Sequence, residues 1–177
     1  MKLSYVFASV LSLSLCCSSV LAAVTTEYRE TTNAKVTVSA KFNCLDAPTG
    51  QHRVTPFYTG LSVDAGELLV FSVDPNQLWS AGYNVDSNQK ATNIYTMNAN
   101  GAGNPFGDGS GLSTTVGSYS FLIGTLVGSL DDGDSFFAVG TSLAMFAPQA
   151  GRLSLYHWGF GCFDNYGDID VSISILE

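Results

Sequence analysis

The residues best suited to chemistry lie in one stretch, GFGCFDNYGDID at residues 159–170. Asp164 and Asn165 are adjacent, follow a Gly-containing turn and precede Gly167. Two side-chain oxygens and nearby backbone carbonyls converging from such a loop are what calcium, a hard cation, requires. Asp-Asn shortly before Gly is also ordinary turn chemistry, because Asx side chains bond their own backbone. DDGDSF at 131–136 reads most simply as a charged hairpin turn between two apolar strands.

Catalytic constellations find no support. There are two histidines, His52 and His157, and no GxSxG elbow, since GDGSG carries Asp108 where the first Gly of that motif should stand. His/Cys metal spacing is absent, and the groups Asp131/Asp132/Asp134 and Asp164/Asp168/Asp170 come with no evident general acid in an apolar pocket. The expectation is a binding protein and not an enzyme.

Strands must position that loop, because apolar residues recur at strand spacing and nowhere convincingly at helical spacing. In KVTVSAKF (35–42), Val36, Val38, Ala40 and Phe42 alternate with Lys35, Thr37, Ser39 and Lys41, which predicts a half-buried strand. GELLVFSVD (66–74) and SYSFLIGTLVGSL (118–130) are apolar on both parities and read as central strands. Further strands are expected at 134–140, 142–147, 151–158 and 168–176. In the last, Ile169, Val171, Ile173 and Ile175 face inward while Asp168, Asp170, Ser172 and Ser174 face water. Seven or so short strands at this spacing predict an all-β fold, an antiparallel β-sandwich of jelly-roll type.

Between Gly82 and Gly117 the chain is rich in Asn, Gly and Ser. It is expected to contain no strand and to serve as a lid or rim of a binding surface, or as a mobile insertion.

Composition narrows the partners. The 177 residues are 46% hydrophobic and 12% charged, with a net charge of -8, so the chain is acidic and folded. Beyond residue 100 Arg152 stands alone among Lys and Arg, which argues against nucleic acid. Residues 1–23 place one Lys before an apolar run and end in Val20-Leu21-Ala22-Ala23, the pattern of a cleaved secretory signal peptide. No second apolar run is long enough for a membrane span. A secreted protein is expected, with periplasm or cell surface as alternative addresses. Cys16 and Cys17 would leave with the signal; a lipid anchor on either is disfavoured, since neither follows a small residue. Cys44 and Cys162 remain, and an oxidising compartment favours one disulfide between them over two separate buried thiols.

The stretch 151–173, GRLSLYHWGFGCFDNYGDIDVSI, resembles the C-terminal calcium and sugar loop of the PA-I-like galactophilic bacterial lectins, with Asp164, Asn165, Gly167, Val171 and Ile173 matching without a gap. Residues 58–82 and 121–151 are similar to the family's early segment and central hairpins, so the resemblance covers most of 57–176. It implies a lectin-like, galactose-binding-domain-like β-sandwich domain at 57–177, preceded by an extension at 24–56 with an added strand. It further implies one calcium ion held by Asp164 and Asn165 side chains and by the carbonyls of Gly161 and Gly82, with sugar hydroxyls completing the coordination. The implied partners are glycans or small sugars.

Departures are plain. The family's Asp that contacts ion and sugar falls on His157, and its neighbouring Asn falls on Tyr156. Imidazole is a poor calcium ligand. The family's His-Pro-x-Gln sugar segment is missing from 83–117, so galactose specificity does not transfer. His157 shares parity with Leu153 and Leu155, which offers a buried, hydrogen-bonded alternative to a sugar contact. Trp158 and Tyr166 flank the loop and could stack on a sugar, Trp158 being the better candidate if strand parity exposes it. Trp79 is expected in the core.

Two functions follow as expectations. The first is a secreted carbohydrate-binding protein, calcium-dependent if the ion is retained, working through the 157–168 loop with His157, Trp158, Asp164 and Tyr166. The second is a structural or adhesive sandwich that has lost the sugar and ion site. A homo-oligomer is compatible with either, since linked weak sites gain avidity.

Overall fold

The computed structural model describes residues 30–46, 56–85, 91–93, 96–103, 112–159 and 162–177. The signal peptide expected at 1–23 and the ion ligand expected at Gly161 lie outside these residues. Along the described chain run β1 (Glu30–Ser39), β2 (Cys44–Asp46), β3 (Phe57–Val63), β4 (Leu68–Ser72), β5 (Trp79–Ser80), β6 (Tyr83–Val85), β7 (Ala91–Asn93) and β8 (Thr96–Met97). They are followed by β9 (Ser113–Val116), β10 (Tyr119–Leu122), β11 (Leu126–Ser129), β12 (Phe137–Ala138), β13 (Ser142–Phe146), β14 (Gly151–Gly159) and β15 (Asp168–Leu176). No described helix is long and apolar enough to cross a membrane.

Two sheets pack face to face. The first has the order β1-β15-β4-β13, all antiparallel, and sets Val38 opposite Ile169 and Ile173 opposite Phe71. The second has the order β12-β11-β14-β2, with β3 also paired to β14. Its one parallel pairing is β2 with β14, which puts Cys44 beside His157.

The alternation expected of β15 holds: Ile169, Val171, Ile173 and Ile175 are buried on one face. Each such burial stabilises by about 1.5–3 kcal/mol relative to an exposed side chain. They meet Leu126, Leu153 and Leu155 from the second sheet in one core cluster, together with Phe71 and Trp79.

β14 is buried on both faces. Its odd residues Leu153 and Leu155 face the main core, while Tyr156 and Trp158 face a second cluster with Leu45, Val127 and Phe136. The hairpin β9–β10 covers that cluster with Val116, Tyr119 and Phe121. Trp158 stands at right angles to Phe121 with centroids 4.9 Å apart, and its indole N–H donates to the Thr114 carbonyl at 2.9 Å.

Three expectations need correction. Residues 118–130 form two strands rather than one, broken at Gly124, whose φ of +80° and contact with Met97 leave no room for a side chain. Phe42 does not continue the inward row of β1: the strand ends at Ser39, where Asn43 turns the chain by donating its N–H to the Ser39 carbonyl and accepting from the Ser39 N–H, both at 2.9 Å. The 82–117 region does carry strands, β6 paired with β7, β8 paired with β5, and β9 paired with β10. They are only two to four residues long, too short for alternation to announce them. Residues 86–90, 94–95 and 104–111 of that region lie outside the described residues.

Candidate functional site

One end of the sandwich is tied together across distant parts of the chain. The cysteines expected to pair do so: Cys44 and Cys162 form a disulfide with their Cα atoms 5.7 Å apart and a sequence separation of 118. Closing so long a loop stabilises the fold by about 4–5 kcal/mol in the chain-entropy view. It joins the start of β2 to the 3-10 turn Cys162–Asp164.

Asn165 follows that turn and is 3% exposed. Its Oδ1 accepts from the Gly82 N–H at 3.2 Å, and its Nδ2 donates to the Ala40 carbonyl at 3.0 Å. The same Nδ2 lies 3.2 Å from Cys44 Sγ and 3.3 Å from His157 Nδ1. Three segments, 40–44, 80–82 and 162–166, thus meet on one amide. The Ser80 N–H donates to the Tyr166 carbonyl at 2.7 Å and secures the same junction.

His157 lies beneath it, 0% exposed and packed against Trp79. An Nδ1 that accepts from Asn165 leaves the ring proton on Nε2, which has no hydrogen-bond partner. Burial in this apolar setting pushes its pKa down to about 3, so the ring is neutral.

The expected sugar contacts therefore divide. His157 and Trp158 are both 0% exposed and cannot touch a ligand, because β14 is covered on one face by the main core and on the other by β9–β10. The buried alternative for His157 is the one observed. Asp164 is half-buried at the surface and Tyr166 is 64% exposed.

Of the expected calcium donors, Asp164, Asn165 and Gly82 are described and Gly161 is not. Asn165 is turned inward and bonded to backbone, and Gly82 donates to it with φ at +110°. Among the described residues no three His, Cys, Asp or Glu side chains gather to hold a metal.

What the loop does form is a groove. About 520 Å³ of space is lined by Ser39, Lys41, Phe42, Tyr166, Gly167 and Asp168, with Asn165 at its floor. A smaller recess of about 190 Å³ shares Lys41, Asn165 and Tyr166 and adds Phe163 and Asp164. Three exposed aromatic rings therefore stand on one surface: Phe42 at 71%, Phe163 at 81% and Tyr166 at 64%. Lys41 supplies ammonium donors, and Asp164 and Asp168 supply carboxylate acceptors. Sequence reasoning missed Phe42, which it placed in the core, and Phe163 and Lys41, which carry no motif. The available signal was the pairing of Cys44 with Cys162, which brings residues 41–42 next to residue 163.

No family model and no curated protein matches the chain. Among solved structures it is similar to the EclA N-terminal domain, described as a PllA-like lectin, at 19% identity. That likeness covers 80% of this chain and 94% of the other, with a TM-score of 0.49.

Proposed function

We propose that this chain is an exported carbohydrate-binding protein whose site is the groove between the 39–42 turn and the 163–168 loop. The observation that carries the reading is the gathering of Phe42, Phe163 and Tyr166, all exposed, around a groove whose other lining groups are polar. Exposed aromatic rings clustered in this way mark an interaction surface. Sugars present an apolar C–H face that stacks on a ring and hydroxyls that need both donors and acceptors, and Lys41, Asp164 and Asp168 offer both. Recognition is assigned to these groups and not to calcium, since Asn165, the expected ligand beside Asp164, spends its amide on the Gly82 N–H and the Ala40 carbonyl. Export is supported by the N-terminal pattern and by the disulfide.

A structural or adhesive role draws on the same rings, since Phe42 and Phe163 have no polar handle and would bury equally well against a protein. A glycan array with the mature protein separates the two. Saccharide binding that falls at least tenfold in Phe42→Ala and Tyr166→Ala variants supports the proposal. An array without binders, or one unchanged by both substitutions, overturns it.

A further inference from the structure

We infer that the groove is held in shape by an internal latch, the Asn165 amide with the Cys44–Cys162 disulfide, so that binding there resists chelators and is lost when a thiol reductant opens the disulfide. This rests on the saccharide reading of the groove and specifies its regulation.

Each aromatic wall hangs from one half of the disulfide. Phe42 lies two residues before Cys44, and Phe163 directly follows Cys162. Both rings are exposed, so burial does little to fix either. The 3-10 turn that carries Phe163 is a single turn, too short to be rigid by itself. It is joined to the opposite wall by the covalent link and by Asn165 reaching the Ala40 carbonyl, while the Ala40 N–H donates to the Gly167 carbonyl at 2.9 Å further along the loop. Asn165 is 3% exposed beneath the groove and its recess and acts through the loops it joins; it is a positioning residue.

The packing around the link is built for it. A β-carbon on Gly159 would collide with Cys44 Sγ and come within 3.1 Å of His157 Nδ1. The main core is assembled largely from β1, β4, β14 and β15 residues such as Val38, Phe71, Leu155 and Ile173, which lie outside the junction, and it meets the junction at Ala40 and Trp79. Opening the disulfide should therefore free the groove walls before it frees the sheets.

The chemistry is ordinary thiol–disulfide exchange. A dithiol attacks one sulfur as thiolate, forms a mixed disulfide, and then closes on itself to a cyclic disulfide. Two electrons and two protons pass to the protein, leaving Cys44 and Cys162 as thiols and the reductant oxidised. An oxidised dithiol reverses the step.

The test uses the folded, oxidised protein at low temperature, with EDTA or with dithiothreitol. Binding is read on an immobilised neoglycoprotein bearing the strongest saccharide from the array, and amide hydrogen exchange is read in parallel. EDTA should leave the dissociation constant within twofold. Dithiothreitol should weaken binding at least tenfold and speed exchange at 163–166, while amides at 169–175 stay protected. Asn165→Asp keeps an acceptor for the Gly82 N–H but loses the donor to Ala40, and should speed the same loop amides in oxidised protein. Loss of binding with EDTA overturns the latch, as does reduced protein that keeps both affinity and loop protection. Reduction that exposes 169–175 together with the loop also overturns it, since the disulfide would then hold the fold and not the groove. If no saccharide binds, the exchange measurements alone decide the latch, and the saccharide reading fails separately.

Discussion

The rings of His157 and Trp79 stand edge to face, with centroids 4.6 Å apart and planes inclined by 75°. This contact places the imidazole inside the protein, under Asn165 and beside the disulfide, and it governs how the fold answers to acid. The unfolded chain holds His157 at an ordinary pKa of 6.5, whereas burial lowers the folded value to about 3. Between these values the unfolded state binds the proton and the folded state does not, so stability falls as pH falls from about 6.5 toward 3. The slope approaches about 1.4 kcal/mol per pH unit within that window. Chemical denaturation from pH 7 to pH 4 should show it, and a His157→Phe variant should flatten it. An unchanged slope in that variant would place the titration elsewhere.

Asp131 adds a second, lower acid limit. Burial tends to raise its pKa, but hydrogen bonds from the Ser135 hydroxyl and N–H and from the Ser129 hydroxyl outweigh this and hold it at about 2. A depressed carboxylate pKa stabilises above the ordinary value of 3.8 and loses that stabilisation as pH falls toward 2. Asp131→Asn should remove acid sensitivity in this lower window and leave the His157 window intact, as followed by thermal melts at pH 2–4.

The groove rings are exposed and should be separable from stability. Phe163→Ala should weaken saccharide binding about tenfold, equivalent to about 1.4 kcal/mol, while changing unfolding free energy by less than about 0.5 kcal/mol. Calorimetric titration beside denaturant melts checks both halves. A large loss of stability would mean that the ring packs against the fold.

Trp158 should behave in the opposite way. Trp158→Phe removes the donor to the Thr114 carbonyl and part of the packing with Phe121 and Phe136, at a cost of about 1–3 kcal/mol, and leaves saccharide affinity unchanged. Both tryptophans of the chain are buried, so indole emission should be blue-shifted, resist acrylamide quenching and not respond to sugar. A saccharide-dependent emission change would return Trp158 to the site.

Ile173→Ala tests the core itself. The side chain is 1% exposed and sits opposite Phe71 on β4 and Ala34 on β1. Its truncation should cost about 2–5 kcal/mol in urea denaturation. A cost below about 1 kcal/mol would mean that the two sheets do not close on this row.

Much of the sandwich was legible because strands buried on one face write their burial into alternate residues, as Ile169 to Ile175 do. That rule failed at Phe42, where the alternation of 35–42 runs past the point at which Asn43 turns the chain. It failed at Trp158 for a different reason. Parity correctly set His157 with Leu153 and Leu155, but the layer covering the opposite face comes from β9 and β10, short strands in a polar region with no period to read. The groove was half legible: Asp164 and Tyr166 stood in a recognisable loop, while Lys41 and Phe42 reach it only through a disulfide spanning 118 residues. Asn165 was read as an ion ligand because its place in the loop is visible in sequence and the inward turn of its side chain is not.

The central claim is that the groove between residues 39–42 and 163–168 binds saccharide. Amide chemical shifts of the mature, oxidised protein, followed by NMR as the strongest saccharide from the array is added, test it most directly. The account predicts shifts concentrated at Lys41, Phe42, Phe163, Asp164, Tyr166 and Asp168. Shifts centred on another surface, or none at saccharide concentrations that saturate the array signal, would contradict it.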